Sequence, residues 1–127
     1  MSAKRTVLVV DDSAPIRTLL AELCAAAGAE HVESCASGFE AMRAASRAES
    51  LSLVITDVNM PDITGLELLR FLREQDRFKS VPLFVVSTDA AQADLDRAMK
   101  LGANRYFAKP FDPQALSAAV REALGIR

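Results

Sequence analysis

Apolar positions along the chain change period in a regular way. Val7-Leu8-Val9-Val10 is an unbroken apolar run that stops at Asp11-Asp12, the pattern of a short strand covered on both faces. Ile16, Leu19, Leu20, Leu23, Cys24 and Ala27 then recur at helical spacing. Pro15 opens this helix where its missing N–H does no harm, and Gly28 ends it. His31 to Cys35 reads as a weak strand. Ser37 and Glu40 have capping-box spacing and start a helix that runs through Met42 and Ala45. Leu51 to Ile55 is the next strand and ends in Thr56-Asp57. Met60 to Ile63 is a turn, and Thr64 with Glu67 forms a second capping box ahead of Leu66, Leu68, Leu69, Phe71 and Leu72. Val81 to Val86 is a strand ending in Ser87-Thr88-Asp89. A helix with few large apolar residues (Leu95, Met99 and Leu101) runs from about Ala90 to Leu101 and stops at Gly102. Asn104 to Ala108 is a short strand and Lys109-Pro110-Phe111 a turn. Asp112-Pro113 caps a last helix carrying Leu116, Val120, Ala123 and Leu124 on one side.

The result is five strand–helix units in succession. Such alternation predicts a doubly wound α/β fold, a five-stranded parallel sheet with helices on both faces and right-handed crossovers. In open sheets of this kind the site lies at the carboxyl ends of the strands, near a reversal of strand order. At 127 residues the chain has the size of one domain, and half of it is apolar. We expect a single domain over residues 1–127.

Charge and inventory narrow the function. With 15 basic and 17 acidic residues the net charge is -2, which speaks against nucleic acid as the main partner and against a polybasic membrane anchor. No apolar run approaches the roughly 20 residues that span a bilayer. The N-terminal segment turns acidic too soon for a signal peptide, so the cytoplasm is the expected location. His31 is the only histidine, which removes multi-histidine metal sites, and Cys24 and Cys35 read as reduced thiols. Neither GxGxxG, GxxxxGK[ST] nor GxSxG occurs.

The polar residues gather where the fold puts a site. Strand one ends in Asp11 and Asp12, strand three in Asp57, strand four in Ser87 and Thr88, strand five in Lys109. Strand two delivers nothing comparable and is expected at an edge. Taken singly, Asp12 reads as a helix N-cap, Asp57 as a turn cap and Lys109 as a surface lysine. Together, three carboxylates would repel one another and raise at least one pKa, a cost that a cation relieves. Oxygen donors without nitrogen or sulfur suit a hard ion, and a small open carboxylate site suits Mg²⁺. Lys109 at the same rim favours an anionic ligand. A phosphoryl group fits, with a carboxylate in reach as its acceptor.

These residues resemble the receiver domain of bacterial response regulators along the whole chain. The resemblance rests on Val9-Val10-Asp11-Asp12, Thr56-Asp57-Val58-Asn59-Met60-Pro61, Gly65, Val85-Val86-Ser87, Gly102-Ala103, Tyr106 and Lys109-Pro110-Phe111. It is strongest to the single-domain, CheY-like members, through Asn59-Met60-Pro61, Gly65 to Leu69 and Tyr106. It implies a flavodoxin-like fold with strand order 2-1-3-4-5. It further implies that Asp57 accepts a phosphoryl group from the phosphohistidine of a sensor kinase or phosphotransfer protein. Asp12 and Asp57 would bind Mg²⁺ (Mn²⁺ can substitute), Asp11 through a bridging water and Asn59 through its backbone carbonyl. Lys109, Ser87 and Thr88 would contact the phosphoryl group, and the Lys109-Pro110 bond would be cis. Ser87 and Tyr106 would act as the switch that remodels the face of helix four, strand five and helix five for an output protein. Asn59 and Asp89 would tune dephosphorylation.

Several residues depart from the pattern. Ser87 replaces the commoner threonine, Thr88 stands where a smaller residue is usual, and Asp89 adds an acid. Gln92 and Ala119 stand where the best-known chemotaxis member has lysines, which weakens the flagellar switch as the target. The chain is expected to act as a monomeric signalling phosphoacceptor through protein contacts, catalysing only its own phosphorylation and dephosphorylation. Two other readings are a scaffold that works without phosphorylation and a phosphohydrolase with an aspartate nucleophile. The hydrolase would need an acid two residues after Asp57, where Asn59 stands.

Overall fold

The computed structural model describes residues 5–88 and 92–126, Gln92 by its backbone alone. Strands β1 (Thr6–Val10), β2 (His31–Cys35), β3 (Leu53–Thr56), β4 (Leu83–Ser87) and β5 (Arg105–Ala108) alternate with helices α1 (Ala14–Ala27), α2 (Gly38–Arg47), α3 (Gly65–Arg73), α4 (Gln92–Lys100) and α5 (Pro113–Ala123). A single 3₁₀ turn, Asp76–Phe78, sits between α3 and β4. The sheet is parallel throughout, in the order β2-β1-β3-β4-β5. The expected doubly wound, flavodoxin-like fold is therefore present, with β2 at an edge. The chain steps from β1 to β2 on one side and then crosses to β3 on the other. The order thus reverses at the carboxyl ends of β1 and β3, where such folds open a crevice.

Strand alternation divides the core in two. Leu8, Val10, Val54, Leu83 and Val85 pack with Ala41 and Ala45 of α2, Leu68, Leu69 and Leu72 of α3, and Ala98 of α4. Val7, Val9, Leu53, Ile55, Phe84 and Val86 pack with Leu20 and Cys24 of α1 and Leu116 and Val120 of α5. Strands β1, β3 and β4 are buried on both faces, which accounts for their unbroken apolar runs. Burial also pushes the Cys24 thiol up to about 12 and Cys35 up to about 11, so both stay protonated near neutrality.

Element ends differ from the sequence pattern in ways that trace to single residues. β3 begins at Leu53 rather than Leu51, although the Ser52 amide already donates to Thr6. β4 begins at Leu83 rather than Val81, because Pro82 has no N–H for the ladder. β5 begins at Arg105 because the Asn104 side chain accepts the Leu83 amide at 2.7 Å, taking over a ladder bond. The predicted start of α4 at Ala90 lies outside the described residues. α1 is capped by Ser13, so Asp12 is not its N-cap. Arg73 ties α3 to the turn before β5. Its guanidinium donates to the carbonyls of Phe78 (2.8 Å) and Gly102 (2.9 Å) and to Asn104 Oδ1 (3.1 Å).

Candidate functional site: an acidic rim closed by a lysine

Asp11, Asp12 and Asp57 offer carboxylate oxygens within 4.8 Å of one another. They come from the ends of β1 and β3, at the reversal of strand order. Asp11 and Asp57 are buried, and Asp12 is exposed. Lys109 reaches across from β5. Its Nζ lies 2.7 Å from Asp11 Oδ2 and 3.2 Å from Asp57 Oδ2, with only 11% of its side chain exposed. The lone lysine of the sequence pattern is thus the counter-charge of the two buried acids.

Each carboxylate is held by local backbone. Asp11 Oδ1 accepts the Ser13 amide at 2.9 Å, which orients it at the entry to α1. Its own amide donates to Cys35 and its carbonyl accepts from the Arg17 guanidinium at 2.8 Å. Asp57 continues the ladder through its amide to Val10, and its Oδ1 accepts the Asn59 amide at 3.3 Å. The buried Thr56 hydroxyl donates to the Asp57 carbonyl at 3.0 Å. Arg17 has no distinguishing signal in the sequence, and Thr56 appears there only within the Thr56-to-Pro61 motif, with no role of its own. Thr56 carried a weak signal, a hydroxyl at the end of an otherwise apolar strand.

The electrostatics follow from that packing. Burial pushes the Asp57 carboxyl above its ordinary range; the Lys109 ammonium pulls it back and Asp11 pushes it further up, and the net direction is up. For Lys109, burial favours loss of the proton, but the hydrogen bond to Asp11 and the attraction of both carboxylates outweigh it, so its pKa is raised.

The remaining sequence-derived residues lie around this centre. Ser87 is fully buried at the end of β4, and its carbonyl accepts the Lys109 amide at 2.8 Å, so strand pairing brings the two together. Thr88 and Asn59 are exposed beside it. The Lys109-Pro110 bond is cis. Tyr106 is half-buried on β5, in register with Val85 and packed on the layer formed by α2, α3 and α4. Asp89 and the Gln92 side chain lie outside the described residues. Ala119 is buried against the α1 side of the sheet, so it presents no surface. That corrects its expected place on an output face.

No helix among the described residues is long and apolar enough to cross a membrane. The family model of the response regulator receiver domain matches residues 7–121. A chemotaxis protein CheY homolog of Campylobacter jejuni is 34% identical over 119 residues, covering 94% of this chain and 92% of that protein. The chemotaxis response regulator CheY4 of Vibrio cholerae superposes with a TM-score of 0.85 at 32% identity, over 95% of this chain and 99% of that one. The receiver domain of a Pseudomonas aeruginosa sensor histidine kinase, solved with a magnesium ion coordinated in the active site cleft, has a TM-score of 0.84 at 27% identity, over 97% and 99% of the two chains. With the fold, the acidic rim and its lysine in place, the chain belongs to the response regulator receiver family, as a CheY-like member of two-component signalling.

Proposed function

We propose that Asp57 is the phosphoacceptor of a single-domain response regulator, taking its phosphoryl group from a histidine kinase or phosphotransfer protein. The observation that carries this reading is the Lys109 ammonium set between buried Asp11 and Asp57, with Asp12 completing an oxygen-only cluster. The donor set fits Mg²⁺: three carboxylates within 4.8 Å supply hard oxygen ligands and more negative charge than one lysine balances. Asp12 and Asp57 would hold the ion, with Asp11 and the Asn59 carbonyl as further oxygen donors. The ion, when bound, would neutralise charge on the phosphoryl oxygens.

Asp57 attacks phosphorus, the N–P bond of the donor breaks, and the imidazole leaves to take a proton from solvent. Burial raises the basicity of the Asp57 carboxylate and so its strength as a nucleophile. Lys109 then pairs with the phosphoryl oxygens. Ser87, at the end of the neighbouring strand, supplies a hydroxyl, with exposed Thr88 at the mouth. Phosphorylation adds charge-assisted contacts that bias a two-state element, here Ser87 with Tyr106 and the face of α4, β5 and α5. A protein partner reads that face. By its relatives' names, chemotaxis is the signalling system we assign, and we place the chain in the cytoplasm, where a kinase donor would meet it. The chain catalyses only its own phosphorylation and dephosphorylation.

The test is intact mass after incubation with Mg²⁺ and acetyl phosphate, beside an Asp57→Asn variant and a chelator control. We expect one base-labile phosphoryl adduct in the wild type and none in either control. No adduct even from a phosphorylated kinase would make the phosphorylation-independent scaffold the better reading.

A further inference from the structure

The exposed carboxylate of Asp62, five residues beyond Asp57, grips a different element of the fold. Its Oδ1 accepts the amide of Gly38 at 3.0 Å and its Oδ2 accepts the amide of Phe39 at 2.8 Å. These are the first two N–H groups of α2, which have no partner within their own helix. The amide of Ile63 donates to Oδ1 as well, at 2.7 Å. Those three amides hold the Asp62 carboxyl down to about 2, so the clamp is charged throughout the working pH range. Ser37, the N-cap of α2, serves a separate donor, the Glu40 amide at 3.2 Å. The two caps on α2 are therefore independent: one local, one supplied by the loop from β3 to α3.

That loop is pinned at both ends. At its start the Asn59 amide donates to Asp57 Oδ1 and the Gly65 amide donates back to Val58 at 2.8 Å. At its far end Asp62 is bolted to α2. Between Asn59 and Asp62 stand only Met60 and Pro61, and the proline ring fixes one of the remaining backbone torsions. α2 also approaches so closely that a Cβ on Gly38 would lie 2.1 Å from Ile63 Cγ1. Removing the clamp would release this segment to many conformations, and each would have to be given up again for the Asn59 carbonyl to serve as a ligand.

We infer that Asp62 is a positioning residue for the cation site: by anchoring the loop to the N-terminus of α2 it presets the Asn59 carbonyl. The metal part of this inference rests on the reading of the acidic rim given above. It binds no substrate and touches none of the three clustered carboxylates; it acts through the loop.

The experiment compares Asp62→Ala, Asp62→Asn and Ser37→Ala in the full chain. Mg²⁺ affinity is measured by titration calorimetry, and amide exchange of residues 59–63 by mass spectrometry in chelator. We expect Asp62→Ala to bind Mg²⁺ about tenfold more weakly, the usual scale for an outer-sphere support. Asp62→Asn, which keeps one acceptor oxygen, should fall between. Ser37→Ala also weakens the start of α2 but leaves the loop anchored, so its affinity should match wild type. Loop amides should exchange faster in Asp62→Ala only. Wild-type affinity in Asp62→Ala, or an equal loss in Ser37→Ala, would overturn the inference in favour of plain helix capping. A wild-type protein that binds no Mg²⁺ would overturn the metal reading and this use of the clamp with it. The exchange data, taken without metal, would then still decide whether Asp62 orders the loop.

Discussion

A Cβ on Gly65 would lie 2.0 Å from the carbonyl oxygen of Asp57. The first residue of α3 thus packs its backbone directly on the backbone of the acceptor. Its conformation is not left-handed, so glycine is required there by proximity alone. Gly65→Ala must push α3 away from β3 or shift Asp57 itself. Overpacking of this kind costs about 1–3 kcal/mol. We expect that loss in a urea titration, together with a lower yield of phosphoryl adduct from acetyl phosphate. A variant of wild-type stability and yield would show that the α3 start has slack.

Asp57→Asn should stabilise the metal-free protein at neutral pH. Burial raises the pKa of Asp57 in the folded state above its ordinary value of 3.8. Its contribution to stability is therefore fully present below that value and is lost as pH rises through the folded value. Asparagine does not ionise and avoids the loss. In chelator at pH 7 the variant should exceed wild type by on the order of 1 kcal/mol, a usual single-site scale, and the gap should shrink as pH falls toward 4. A variant less stable than wild type at pH 7 would mean that attraction to Lys109 outweighs desolvation.

Lys109→Ala should have the opposite effect. It leaves two buried carboxylates facing one another without their counter-charge. Breaking a buried pair in this way costs about 3–5 kcal/mol. Mg²⁺ should restore part of it, since an ion that binds only the folded state stabilises by mass action. The rise in Tm on adding Mg²⁺ should accordingly be larger in Lys109→Ala than in wild type. Equal rises would mean that lysine and cation do not compete for the same charge.

Tyr106 gives a direct optical readout. It is the only tyrosine, and the chain has no tryptophan. Its ring is half-buried on β5, one strand away from the end of β4 where Ser87 sits. Mg²⁺ with a beryllium fluoride phosphoryl mimic should change tyrosine fluorescence in wild type and leave Asp57→Asn unchanged. A constant signal in both would remove the Tyr106 switch from the mechanism.

Much of this architecture is readable in the order of residues, because the three inner strands are buried on both faces and so appear as unbroken apolar runs. The residue after each run then falls at the carboxyl rim without further information. Asp11, Asp57 and Ser87 are placed there by these runs, and Lys109 by the strand–helix alternation alone, since β5 is a half-exposed edge strand. The cap at Thr64 is a full capping box, as its spacing suggests, with Thr64 and Glu67 bonded in both directions. Ser37 and Glu40 have the same spacing but form only half of the box: Ser37 accepts the Glu40 amide, Glu40 reaches the Ala36 amide at 3.4 Å, and Asp62 serves the first two amides of α2. Spacing within one segment cannot reveal a cap delivered from 24 residues away. The same holds for Asn104, whose side chain replaces a backbone ladder bond, and for Arg17, whose guanidinium meets the Asp11 carbonyl across the start of α1. Local pattern names the elements; partners brought by the fold correct their ends.

The close approach of Gly38 and Ile63 has a consequence for how such a chain can evolve. A Cβ at position 38 would meet both Cγ1 and Cδ1 of Ile63, at 2.1 and 2.6 Å. Position 38 can gain a methyl group only where the Ile63 side chain turns aside or gives up volume. The two sites should therefore covary among homologues although 25 positions separate them. A reconstruction that exchanges position 38 first must move the Ile63 side chain out of its place, which the paired exchange avoids.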